Sequence, residues 1–128
     1  MRAVRSALVV MALGCGSAQK PAPARPDAKA VAAALDVSMA SMQEVVHRLR
    51  GNCTATAKQL IRVFGDMKRA IADVRRLQLD PDQAHELKVE MDGYATTSKG
   101  RDDAIAADLT PCAHDPDIIN VMATMPEL

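Results

Sequence analysis

Residues 53–79, CTATAKQLIRVFGDMKRAIADVRRLQL, decide how the chain folds. Cys53, Ala57, Leu60, Phe64, Met67, Ile71, Val74 and Leu77 recur at steps of three and four, the period of a helix with one apolar face. A half-buried strand would alternate by two, and no such alternation runs through this stretch. Asn52 stands where an N-cap belongs.

The same reading extends outward. Upstream, residues 27–50 carry Leu35, Met42, Val45 and Leu49, with Met39 and Val46 beside them, on one helical face. Asp27 stands at the N-cap position and Gly51 at the C′ position. Downstream, Asp80-Pro81-Asp82-Gln83 reads as cap, first-turn proline and capping-box glutamine. It opens a third helix to about Leu109, with Ala84, Leu87, Met91, Ala95, Ser98, Ile105 and Leu109 on one face. Gly93, Thr96, Thr97, Ser98 and Gly100 weaken its middle and predict a kink or break. Thr110-Pro111 ends it. Asp115-Pro116 starts a short helix carrying Ile118, Ile119, Met122 and Met125, closed by Pro126.

Short connections favour antiparallel neighbours. The expected fold is therefore all-α, an antiparallel up-down bundle of three long helices and one short C-terminal helix, over residues 27–128. Charge predicts that the second and third helices pair. Lys58, Arg62, Lys68, Arg69, Arg75 and Arg76 would face Asp82, Glu86, Glu90, Asp92, Asp102, Asp103 and Asp108.

Composition narrows the function. A chain of 128 residues holds one small domain. Its 16 Lys and Arg balance 16 Asp and Glu, which excludes a strongly basic nucleic-acid binder. Phe64 and Tyr94 are the only aromatics, too few for base- or sugar-stacking surfaces.

The N-terminus reads as an address. Arg2 and Arg5 precede an apolar run from Ala7 to Leu13, then Gly14-Cys15-Gly16. A positive start, a short apolar run and a small residue before a cut site form a secretory signal, here residues 1–14. The run is far below the roughly 20 residues that span a bilayer. Ala12-Leu13-Gly14-Cys15 resembles the lipobox of bacterial lipoproteins. The resemblance implies cleavage before Cys15 and a diacylglycerol on its thiol, so that the bilayer itself is a partner. Gly16 in place of Asp favours the outer membrane. A soluble export signal with an incidental cysteine is the plainer alternative.

Residues 16–26, GSAQKPAPARP, cannot be helical, because three prolines alternate with small residues. Residues 15–26 would form a lipidated tether, extended at about 3 Å per residue. Losing Arg2 and Arg5 with the signal takes the net charge from 0 to −2, so electrostatics give no reason to bind anionic lipid. The rest of the chain is similar in layout to small helical lipoproteins of myxobacterial type, through Asn52-Cys53, Cys112 and the Val- and Met-bearing segment up to Met125. That resemblance implies no activity.

Three cysteines are an odd number for an exported protein. With Cys15 acylated, Cys53 and Cys112 remain. The Asp80-Pro81 turn lies almost midway between them, so an antiparallel hairpin brings both to one end and a disulfide is expected. His47, His114, Asp115 and Asp117 are expected near the same pole. Cys and His are zinc-ligand types, yet no paired CxxC or HxxxH spacing occurs. His47 and His114 are thus weak metal candidates beside a disulfide, and no metal or other cofactor is expected.

No GxSxG, GxxxxGK, HExxH or CxxCH motif is present. Asp102 and Asp103 are adjacent on a helix and point about 100° apart, so they form no catalytic dyad. The methionines at helical spacing read as core filling. The short last helix covers only part of the bundle, and a groove is expected near Leu35, Met39, Leu77, Leu87 and Met91. The reading is a membrane-tethered lipoprotein of the cell envelope, outer membrane preferred. Its role is structural or protein-interacting, with an envelope protein as possible partner and no catalysis. The alternative is a carrier of a metal, haem or lipid within the bundle.

Overall fold

In the computed structural model, which describes residues 27–127, five helices follow one another. They are α1 (Ala28–Arg48), α2 (Cys53–Leu77), α3 (Pro81–Thr97), α4 (Arg101–Leu109) and α5 (Pro116–Met122), with a 3-10 turn at Thr110–Cys112 between the last two. The described residues contain no strand. The signal segment, Cys15 and the proline-rich tether lie outside the described residues.

Local chemistry sets the helix ends. The Asp27 carboxylate accepts from Ala30 N at 2.7 Å and Asn52 Oδ1 from Ala55 N at 3.2 Å, each satisfying an N–H that the first turn leaves open. Between α1 and α2 the chain turns at residues 49–52, where Asn52 N donates to Leu49 O at 2.8 Å. Gly51 takes φ +83° in that turn, a conformation glycine reaches without a Cβ penalty. The Thr56 hydroxyl, buried beneath, lies 2.8 Å from Asn52 O and 3.2 Å from Leu49 O.

At α3 the cap differs from the capping box. Asp80 Oδ1 accepts from Asp82 N at 3.0 Å, and Gln83 Oε1 is buried without a partner among the described residues. Pro81 occupies the first turn, where its missing N–H costs nothing. Asp115 caps α5, its Oδ1 accepting from Asp117 N at 2.9 Å and Ile118 N at 3.2 Å.

The third helix is broken. It ends at Thr97 and restarts at Arg101 as the nine-residue α4. Three hydroxyls turn back on the backbone there: Thr96 to Asp92 O at 3.1 Å, Thr97 to Tyr94 O at 3.1 Å, and Ser98 to Tyr94 O at 2.7 Å. Such bonds compete with the helical ladder. Gly100 then takes φ +87°, which no residue inside a right-handed helix does.

The core is built mainly by two helices. On α2, Ala57, Leu60, Phe64, Met67, Ile71, Val74 and Leu77 are all buried, while Cys53 at the helix start is half-buried. On α1, Ala28, Val31, Ala32, Leu35, Met42, Val45 and Val46 face them. By contrast α3 and α4 bury one residue each, Leu87 and Ile105. Fully burying an aliphatic or Phe side chain is worth about 1.5–3 kcal/mol, so the α1–α2 face dominates the cohesion.

Packing departs from the charge-based expectation. Packing centres on α1, which lies against α2, α3 and α4, whereas α2 and α3 meet only slightly. No ion pair joins α2 to α3 among the described residues. Instead Arg69 pairs with Asp66 and Arg76 with Asp73 along α2, and Lys88 with Asp92 along α3. Exposed pairs of this kind are worth about 0–1 kcal/mol, too little to choose a helix's neighbour against the burial of an apolar face.

The last helix also differs from its expected phase. It is seven residues long and docks on α2 through Ile118 and Val121. Those two lie three apart on one face, which turns Ile119 outward to 51 % exposure. Met125 lies beyond the helix end.

Candidate functional site

Two regions hold the residues singled out by sequence. The first is the end of the bundle where α1 stops and α2 starts. Cys53, the first residue of α2, is bonded to Cys112, the last residue of the 3-10 turn, with Cα atoms 5.5 Å apart. The bridge closes a 59-residue separation and ties the exit of α4 back to the start of α2. Cys112 is 2 % exposed.

Beside it, Asp108 near the end of α4 receives two basic groups. His47 Nδ1 lies 3.1 Å from its Oδ2, and Arg50 Nε lies 3.8 Å from its Oδ1. Asp108 is largely buried, while His47 and Arg50 are exposed. His114 is exposed and makes no ion pair or side-chain hydrogen bond among the described residues. No group of three or more His, Cys, Asp and Glu side chains is arranged to hold a metal ion among the described residues. The disulfide is thus flanked by the His47–Asp108 hydrogen bond and the Arg50–Asp108 ion pair, which join α4 to the end of α1.

The second region is an open cavity of about 430 Å³ lined by α1, α2, α3, the start of α4 and the C-terminal segment. Of the five groove residues expected, Leu35, Met39 and Met91 line it. Leu77 and Leu87 do not, and the expectation is corrected there. Both are core residues, 8 % and 2 % exposed: Leu77 ends the buried stripe of α2, and Leu87 is the one side chain that α3 buries.

The wall also includes residues outside the expected groove. Met67 and Ile71 come from the α2 stripe, Tyr94 from α3, and Met125 with Pro126 from the segment after α5. Met67 and Ile71 carried a signal, since they lie one helical turn apart on the most apolar face. Met125 carried none, because its place depends on where the tail crosses. At the mouth, Arg101 Nη1 donates to Asp36 Oδ1 at 2.9 Å. These side chains are only 17 % and 24 % exposed.

The lining is largely apolar, with Asp36, Arg101 and Asp102 forming a charged lip. No helix among the described residues is long and apolar enough to cross a membrane. Compared with protein-family models, curated proteins and solved structures, the chain has no match.

Proposed function

We propose that the chain is a lipid-anchored protein of the cell envelope, held to a membrane through Cys15 and acting through its helical domain as a structural or protein-interacting module. The observation that carries the reading is the cysteine count. Cys53 and Cys112 are consumed by one bridge, which leaves Cys15 alone, directly after a short apolar run and inside Ala12-Leu13-Gly14-Cys15. A disulfide suits an oxidising compartment, which export would supply.

Acylation makes the anchor a matter of buried methylenes, at about 0.8 kcal/mol each, so two or more chains hold stably where one does not. The tether at residues 16–26 would stand the domain off the bilayer by roughly 30 Å at most, at about 3 Å per residue. An up-down bundle on such a stalk presents its outer helix faces to neighbours in the envelope. No catalytic role is assigned.

Labelled palmitate fed to expressing cells tests the anchor. Label should enter the wild-type chain and be lost in Cys15→Ala, with the protein moving from the membrane to the soluble fraction. Equal labelling of both chains, or an intact Met1 terminus in protein recovered from the cytosol, overturns the reading. Crosslinking in intact envelopes would then identify the partner.

A further inference from the structure

Met39, Met67, Met91 and Met125 come from α1, α2, α3 and the C-terminal segment, yet all four line one cavity. Only Met67 is fully buried; the other three are half-buried at the cavity surface. A wall of unbranched thioethers is apolar and adjusts its shape, which suits a flexible hydrocarbon better than a rigid ring.

The lip supplies a head-group partner. Arg101 is five-sixths buried, and among the described residues its guanidinium makes one protein contact, from Nη1 to Asp36. A guanidinium carries five N–H donors in a planar fork matched to a carboxylate. The other donors have no protein acceptor among the described residues. Asp102, also at the mouth, is exposed.

We propose that this cavity binds a single-chain carboxylate amphiphile, its head on Arg101 and its acyl chain among the four methionines. The proposal goes beyond the anchor and does not depend on it, since the site lies wholly within the helical domain.

The test uses the full chain carrying Cys15→Ser, oxidised and free of detergent, and displacement of a fluorescent fatty acid below its micellar concentration. Dodecanoate should displace the probe saturably at one site per chain. Each methylene removed should weaken it about four-fold, the equivalent of about 0.8 kcal/mol. Dodecan-1-ol should bind about ten-fold more weakly, for want of the charge-assisted bond.

Two variants locate the site. Ala95→Trp fills the mouth from an exposed α3 position and should abolish binding while leaving the helical circular dichroism unchanged. Arg101→Gln should remove the preference for dodecanoate over the alcohol. Absence of saturable binding, equal binding by Ala95→Trp, or a preference for dodecyltrimethylammonium over dodecanoate overturns the proposal.

Discussion

Arg101, the first residue of α4, donates through Nη1 to the Asp36 carboxylate of α1 at 2.9 Å, across 65 residues of sequence. Asp36 lies on α1 one position beyond the buried Leu35, and both partners are mostly shielded from water. The bond holds α4 against α1 just after the chain has been broken at Gly100. A double-mutant cycle of Asp36→Ala and Arg101→Ala should give a coupling of about 1.5–3 kcal/mol, the scale of a hydrogen bond to a charged group. The same cycle on Lys88 and Asp92, exposed along α3, should give about 0.5 kcal/mol or less. Urea unfolding midpoints measure both, and equal couplings would remove the special role of the Asp36–Arg101 pair.

The bridge between Cys53 and Cys112 spans 59 residues, and closing a loop of that size limits the unfolded chain. The Cys53→Ala, Cys112→Ala double variant should lose about 4 kcal/mol in the chain-entropy picture. That is a large share of the 5–15 kcal/mol typical of a small domain. Mass spectrometry of unreduced protein should show a peptide linking the two positions. Two alkylatable thiols in exported material would contradict the bond.

Two glycines of the third-helix region should respond in opposite directions. Gly93 lies within α3, and a Cβ there meets nothing within 4 Å. Gly93→Ala should therefore stabilise the protein by about 0.5–1 kcal/mol, through the lower entropy of the unfolded chain. Gly100 has φ +87°, and Gly100→Ala should cost about 1–2 kcal/mol despite equally open surroundings. Thermal melts of the two variants should move apart; a shift of both in one direction would show that the break at residues 98–100 is not a fixed feature.

Thr56 is 2 % exposed, and its hydroxyl is served by carbonyls of the turn between α1 and α2. Thr56→Val keeps the shape and removes the donor, and should cost about 1–2 kcal/mol. Thr56→Ser keeps the hydroxyl and should retain most of that contribution. If Val and Ser behave alike, methyl packing rather than the hydrogen bond fastens the turn.

Much of the helical layout was legible in the residues. The α2 stripe from Ala57 to Leu77 is buried as its spacing implies, Asp27 and Asn52 cap the helices they precede, and the chain breaks among Thr96, Thr97, Ser98 and Gly100. These are local matters, settled within one or two helical turns. The groove was legible in part: Leu35, Met39 and Met91 reach the cavity, while Leu77 and Leu87 are spent in the core. A stripe shows which residues turn inward and carries no mark of which will be sealed over.

By itself, then, the sequence determined where helices begin and break, and which faces of α1 and α2 avoid water. Only the tertiary structure decided that α2 packs mainly on α1 and only slightly on α3, that Arg101 finds Asp36, and that four methionines from four segments share one space. The physical reason is degeneracy. Apolar faces attract without direction and in proportion to area, so several pairings bury similar surface. Shape fit, summed over all five helices at once, selects among them.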